Sequence, residues 1–220
     1  MTKFFTITEY IKDIIQGTKF ERHIFCVGGS VRDLIMKRPI KDIDLVIDIE
    51  NGGVEFAKFC MDSNLLTHDV VIYERFGTAM FKFKAFPDDE IECVMTRGEK
   101  YPDRNSRNPE TVFASIDDDC IRRDLTINAL YYNISTGEIV DMVGGLNDIE
   151  NKVIRTTNEN PDIVFDDDAL RILRCIKFSV RYGWEIEPKT YESMKRYVDR
   201  LDIISKERIK DEFNLPTISD

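Results

Sequence analysis

Residues 27–48 read "VGGSVRDLIMKRPIKDIDLVID". Two glycines, Gly28 and Gly29, open a helix-like segment, and two aspartates, Asp42 and Asp44, follow on a stretch of alternating apolar residues. In a strand, residues two apart point to the same face. Asp42 and Asp44 are therefore expected to project together, with Ile43 and Leu45 turned into the core. Two adjacent carboxylates repel unless a cation sits between them, and a divalent metal resolves the conflict. Glycines between a strand and a helix let backbone N–H groups approach a phosphate at the helix N-terminus. Arg32, one turn into that helix, reaches the same anion. Alone, a glycine pair reads as a plain turn and an Asp-x-Asp as a solvated strand edge; together at this spacing they suit a magnesium-bound triphosphate.

At 220 residues the chain can bury a sizeable core, as one domain or as a domain with an appendage. Its 42% hydrophobic and 33% charged composition is that of a soluble globular protein. No apolar run approaches the roughly 20 residues of a membrane span. The N-terminus lacks a basic-then-apolar signal pattern, so the reading is cytoplasmic with no membrane partner. The five cysteines (Cys26, Cys60, Cys93, Cys120, Cys175) are scattered without a C-x-x-C pair and read as reduced core residues. Only two histidines occur, His23 and His68, each at the start of a strand-like run. Histidine-based catalysis is hard to build from these, which leaves carboxylates, arginines and metal to carry any chemistry. The net charge of −10 argues against a general nucleic-acid coat. Residues 171–210, however, hold eleven Lys and Arg against six Asp and Glu, so an acidic body carries a basic C-terminal segment that can meet a polyanion locally.

Along the chain, residues 6–16 put Ile7, Tyr10, Ile11, Ile14 and Ile15 on one helical face, with Thr6 and Glu9 as a capping box at its start. "HIFCV" reads as a buried strand, "SVRDLIMK" as a helix and "DIDLVID" as a strand. "VEFAKFCMDS" is helical, and "DVVIY", "TAMFKFK" and "EIECVMT" are three further strands, rich in β-branched and aromatic residues. Arg97 to Asp117 is polar, with Pro102, Pro109 and an "RNSRN" run, and predicts a mobile loop. "CIRRDLTINALYYN" predicts a helix running into a strand, and "STGEIVD" a hairpin with Gly137 at its turn. From about Asp162 the pattern is helical to the end, with breaks near Gly183 and Pro188.

"GGSVRD" followed by "DIDLV" resembles the start of the class II CCA-adding tRNA nucleotidyltransferases and their relatives, the bacterial poly(A) polymerases, within the DNA polymerase β-like nucleotidyltransferase superfamily. Further stretches match in order: "RRDLTINAL" resembles the ribose-contacting motif, "DMVGGLNDIENKVIR" a hinge segment, "DDALRILRCIKF" the E-D-x-x-R motif and "SKERIKDEF" a later neck motif. The resemblance implies an α+β fold: a nucleotidyltransferase head with a mixed sheet and flanking helices over residues 1–155. A partial all-helical neck would follow over residues 156–220, truncated before the body and tail that grip tRNA. It implies an enzyme that adds C and A from CTP and ATP to the 3′ end of tRNA by a two-metal mechanism. One magnesium ion would lower the pKa of the attacking hydroxyl and the other would hold the triphosphate.

Roles carry over residue by residue. Asp42 and Asp44 would bind the catalytic metals. Gly28, Gly29, Ser30 and Arg32 would contact the triphosphate, while Arg123, Asp124 and Asn128 would meet phosphate and ribose. Asp168 and Arg171 would pair with the incoming base, supported by Arg174 and Lys177. Read physically, Asp168 and Arg171 lie at i,i+3 on one helix face, where they can hydrogen-bond one planar edge or simply form a surface salt bridge. The sequence departs from the family where Asp167 replaces the usual Glu and Lys177 stands where arginine is common. Glu92 is either a third carboxylate at the metals or an exposed strand residue. A poly(A) polymerase, an enzyme adding only CC or only A, and a nucleotide-binding module without turnover share the motifs quoted.

Overall fold

Phe4, Ile7, Ile11 and Ile15 form one buried stripe along the first helix, α1 (Thr2–Ile15). The helix is already running at Thr2, so Thr6 and Glu9 lie inside it and do not cap it as expected. Phe4 lengthens the buried stripe by a turn, and packing of that stripe decides where the helix begins. The structure is a computed structural model and describes residues 2–100 and 110–213.

After α1 the chain alternates strand and helix through β1 (Ile24–Val27), α2 (Gly29–Ile35), β2 (Ile43–Ile47) and α3 (Gly52–Asp62). Three strands follow, β3 (Val71–Tyr73), β4 (Thr78–Lys82) and β5 (Glu90–Met95). The segment expected as a loop instead contains an antiparallel ladder, β6 (Arg97–Lys100) against β7 (Glu110–Phe113), with Arg97 opposite Phe113. A separate two-stranded ladder need not bury one face, so it leaves no apolar alternation to read. Pro102, Pro109 and the "RNSRN" run lie outside the described residues. The helix expected in "CIRRDLTINALYYN" does not form: α4 (Ile116–Ile121) lies mostly before that stretch and ends ahead of the arginines. A 3-10 turn at Thr126–Asn128 then precedes β8 (Leu130–Asn133) and β9 (Ile139–Asp141), a hairpin with Gly137 at its turn.

Seven strands form one mixed sheet in the order β3-β4-β5-β2-β1-β8-β9. Every pairing in it is antiparallel except β2 with β5, which is parallel. Ile43, Leu45, Val46 and Ile47 of the central β2 are all buried. Helix α3 crosses the sheet at very close range: a Cβ added to Gly53 would stand 2.3 Å from the Cys93 carbonyl oxygen and 2.5 Å from that of Gly77. All five cysteines are buried and free, and burial pushes the Cys60 thiol up to about 12.

The rest of the chain comprises α5 (Gly145–Asn151), β10 (Val153–Ile154), α6 (Pro161–Asp167), α7 (Leu170–Tyr182), β11 (Glu185–Ile186), α8 (Pro188–Tyr197) and α9 (Lys206–Phe213). Its core gathers Val164, Phe165, Ile172, Cys175, Phe178, Trp184 and Met194. The segment is not all helical: Glu185 and Ile186 pair in parallel with Val153 and Ile154. Gly183 ends α7 with φ at 67° and Pro188 opens α8, which leaves the residues between them free to extend. The chain forms two compact units, Met1–Cys120 with Leu130–Met142, and Ile121–Ala129 with Val143–Asp220.

Candidate active site

In the first unit, Gly28 turns the chain from β1 into α2 at φ 71°, ψ −129°, a conformation that a side chain would strain. Its N–H donates to the Leu130 carbonyl at 3.3 Å and its carbonyl accepts from the Arg32 N–H at 3.0 Å, so the turn is tied at both ends. Ser30 is buried and its hydroxyl donates back to the Val27 carbonyl at 3.1 Å. Arg32 is buried as well, with Nε and Nη2 donating to the two carboxylate oxygens of Asp33 at 3.0 and 3.1 Å. The guanidinium stays close to Gly29, where an added Cβ would lie 3.5 Å from Nη2.

Strand β2 begins at Ile43, so Asp42 stands just before the first paired residue and Asp44 just inside the strand. β1 runs antiparallel to β2 with Cys26 opposite Leu45. The end of β1 that leads into Gly28 therefore lies beside the start of β2 that carries the aspartates. Burial, and then the Asp44 charge, push the Cys26 thiol upward, which agrees with that proximity. Glu92 of β5 sits directly opposite Asp44 in the parallel register, on the same side of the sheet. Asp42 and Glu92 are exposed and Asp44 is half-buried.

These donors fit a magnesium-type cation. All are hard carboxylate oxygens, and they remain open to solvent on one side. Magnesium keeps several waters and is usually held by one or two carboxylates plus substrate phosphates, not by a full protein cage. Among the described residues no three or more His, Cys, Asp and Glu side chains are gathered into a group that could hold a metal ion.

In the second unit, Asp124 and Arg174 form the central pair, with Arg174 Nε donating to Asp124 Oδ2 at 2.5 Å. Buried Asn128 donates its side-chain N–H to the same carboxylate at 3.3 and 3.4 Å. Burial alone would raise the Asp124 pKa, but the charge and hydrogen bond of Arg174, the Leu125 N–H and Asn128 hold it below the usual carboxylate range. A carboxylate with a depressed pKa contributes stability above its unfolded value, and that stability is lost as pH falls through the folded value. Arg174→Met keeps the stem and removes the charge. It is expected to cost about 2–3 kcal/mol near pH 7, less than a fully buried pair because Arg174 is about a third exposed. The difference from wild type should shrink toward pH 3, which denaturant melts across that range would show; a pH-independent loss would mean that only packing was removed.

Asp168 and Arg171 do not share a helix, contrary to the expectation. Asp168 lies in the break between α6 and α7 with φ at −152°, and its Oδ1 accepts from the Leu170 N–H at 3.0 Å. Three consecutive aspartates at 166–168 oppose the negative end of α6, and an aspartate at the start of α7 satisfies an orphan N–H. The break falls there for those reasons. The two residues remain neighbours, since the Arg171 N–H donates to the Asp168 carbonyl at 3.1 Å. The Arg171 guanidinium donates to the Val164 carbonyl at 3.4 Å and lies 3.8 Å from Asp167.

Sequence reading assigned no role to individual residues of α9, yet two of its side chains engage this set. Arg208 donates to Asp168 Oδ2 at 2.8 Å. Glu212 accepts from Arg174 at 2.9 Å and from Lys177 at 2.8 Å. Arg208 and Glu212 lie at i,i+4 on one helix face, a spacing visible in "SKERIKDEF" once that stretch is known to be helical. Several other cations of the basic segment are also paired: Lys195 with Glu192, Arg196 with Asp162 and Arg200 with Asp166.

The chain is similar to known proteins over most of its length. Residues 24–155 match the family described as the poly A polymerase head domain. Residues 183–215 match one described as a probable RNA and SrmB-binding site of polymerase A. A CCA-adding enzyme of Lactobacillus delbrueckii subsp. bulgaricus is 32% identical over 215 residues, covering 97% of this chain and 50% of that protein. A CCA-adding enzyme of Bacillus subtilis is 34% identical over 190 residues, covering 86% and 45%. Among solved structures, the CCA-adding enzyme of Bacillus stearothermophilus in complex with CTP aligns with a TM-score of 0.73 at 26% identity, over 93% of this chain and 47% of that one. A tRNA nucleotidyltransferase complexed with a primer tRNA and an incoming ATP analog aligns with a TM-score of 0.71 at 28% identity, over 88% and 52%. The chain spans about half the length of the relatives it matches.

Proposed function

Because this chain belongs to the family of the poly A polymerase head domain, we propose that it is the catalytic portion of a cytoplasmic CCA-adding tRNA nucleotidyltransferase. The head would span residues 1–155 and a helical neck residues 156–220. In the proposed reaction an RNA 3′-hydroxyl attacks the α-phosphate of CTP or ATP, forming a phosphodiester bond and releasing pyrophosphate. The observation that carries this reading is the Asp42–Asp44 pair at the start of β2, beside the Gly28–Gly29 turn and with Glu92 in register. The comparisons support the CCA-adding reading, through relatives that are named CCA-adding enzymes and solved relatives bound to CTP or to a primer tRNA with an ATP analog.

Asp42 and Asp44 would hold magnesium, which when bound supplies charge neutralisation at the phosphates and a lowered pKa for the attacking hydroxyl. Gly28, Gly29 and Ser30 would receive the triphosphate through backbone N–H groups, with Arg32 held ready by Asp33 to neutralise it. In the second unit, Arg123, Asp124 and Asn128 would meet phosphate and ribose. Asp168 accepts from the amino group of C or A, and Arg171 donates to an acceptor on the same base edge. Arg174 and Lys177, braced by Glu212, would keep this set in place.

The test is incorporation into tRNA lacking its terminal CCA, with each nucleoside triphosphate supplied separately. CTP and ATP both used, in the order C, C, A, is the expected result. Use of ATP alone in a repeating fashion would make the chain a poly(A) polymerase instead, and nucleotide binding without pyrophosphate release would make it a binding module. A site built to hydrogen-bond one edge rejects bases that leave its polar groups unpaired. Arg171→Ala is therefore expected to raise UTP and GTP use relative to CTP and ATP by about tenfold, with residual incorporation. An equal fall for all four nucleotides would make Arg171 a structural or phosphate contact.

A further inference from the structure

The loop at residues 122–125, between α4 and the 3-10 turn at Thr126–Asn128, belongs to no helix or strand, so its backbone groups find their partners elsewhere. They find several in residues 155–157. Leu125 and Thr156 form an isolated antiparallel bridge. The Thr126 N–H donates to the Arg155 carbonyl at 3.0 Å, and the Thr157 N–H donates to the Asp124 carbonyl at 3.3 Å. The Thr157 hydroxyl lies between two carbonyls, that of Ile121 at 2.8 Å and that of Arg123. Behind the loop, the Thr126 hydroxyl donates to Asp148 at 2.6 Å and Arg155 donates to the other oxygen of Asp148 at 2.8 Å. Thr126, Asp148, Thr156 and Thr157 are all buried, so water cannot substitute freely for these bonds.

We infer that Thr157 is a positioning residue for nucleotide recognition: its hydroxyl and N–H fix the carbonyls of residues 121, 123 and 124 and thereby aim Arg123 and Asp124 at the phosphate and ribose. This inference rests on the reading of Arg123 and Asp124 as nucleotide contacts. The Asp124 carboxylate is anchored from the other side by Arg174. The loop is therefore held at its side chain by α7 and at its backbone by Thr157. Removing the hydroxyl takes a donor from two part-buried carbonyls, and the loop relaxes toward a conformation that satisfies them. The side chains that read the sugar then lose their aim without leaving the protein.

The experiment measures equilibrium binding of CTP and dCTP, with magnesium present, to the full chain and to Thr157→Val, Thr157→Ser and Thr157→Cys, with thermal unfolding alongside. Valine keeps the shape without the hydroxyl, serine keeps the hydroxyl, and cysteine keeps the volume with only a weak donor. Wild type is expected to prefer CTP. Thr157→Val should lower the CTP/dCTP affinity ratio about tenfold, and Thr157→Ser should stay within about twofold of wild type. Thr157→Cys should fall between them, and it carries the test if the valine variant does not fold. A ratio is insensitive to a reduced folded fraction, which a purely structural role would produce. An unchanged ratio in folded Thr157→Val or Thr157→Cys, or a serine variant as impaired as valine, would overturn the inference. A wild-type chain that binds CTP and dCTP equally, or binds neither, would instead overturn the assignment of Arg123 and Asp124, and the inference with it.

Discussion

Asp44→Asn is expected to cut nucleotide incorporation roughly a thousandfold or more while thermal unfolding stays near wild type. The estimate follows from the several kcal/mol that metal-held charge contributes in phosphoryl transfer, at about 1.4 kcal/mol per factor of ten. Asparagine matches the shape of aspartate at a half-buried strand position, so β2 should keep its pairing with β1 and β5. Removing one of two carboxylates that face each other, Asp44 and Glu92, also relieves like-charge repulsion. A second measurement separates metal binding from general damage. Magnesium should raise the unfolding temperature of wild type and leave that of Asp44→Asn unchanged, because a ligand stabilises only the state it binds. All four nucleotides should be affected equally, since the metal does not see the base. Near-normal incorporation would remove Asp44 from the proposed chemistry.

The second large effect concerns stability. Gly53→Ala would place a Cβ 2.3 Å from one backbone oxygen and 2.5 Å from another, on two different strands or turns of the sheet. Neither obstacle is a flexible side chain, so α3 must lift from β5 or the sheet must bend. Overpacking of this kind costs about 3 kcal/mol or more when the backbone has to move. That is a large part of the ~5–15 kcal/mol by which a domain is stable. Lys58→Ala, an exposed position on the same helix, should stay within about 0.5 kcal/mol. Urea unfolding of the two variants side by side provides the comparison. If Gly53→Ala melts like Lys58→Ala, the close approach of α3 does not limit stability.

The legible parts of this protein are the local ones. The glycine turn and the Asp-x-Asp pair sit within one 27–48 stretch, so their meeting follows from strand periodicity and a short connection. The succession of strands and helices through β5 was equally readable, because each apolar pattern is complete within its own element. What escaped depends on distant pairing. Nothing local says that Glu92 stands opposite Asp44, since α3, β3 and β4 intervene. The break at Asp168 was hidden because "DDALRIL" carries an uninterrupted helical pattern, and end charges decided against it. Arg208 and Glu212 were quoted within a motif, but their partners on α7 and at its start lie some thirty or more residues back. The "NGG" at residues 51–53 resembles a turn, whereas Gly53 is needed inside a helix for its missing side chain.

The parallel pairing of β2 with β5 also governs the order in which the molecule can assemble. Neighbouring antiparallel pairs such as β3–β4 and β8–β9 close short loops and can form within microseconds. The β2–β5 pairing must first gather the whole intervening segment, and such non-local contacts form slowly. A slip of one residue in that register would turn Asp44 inward among the apolar side chains that now fill the core, an error that an unpaired carboxylate makes costly. A carboxylate at position 44 would therefore disfavour the misregistered sheet while the molecule assembles, so one side chain at the start of β2 would help to set the register of the whole centre of the sheet.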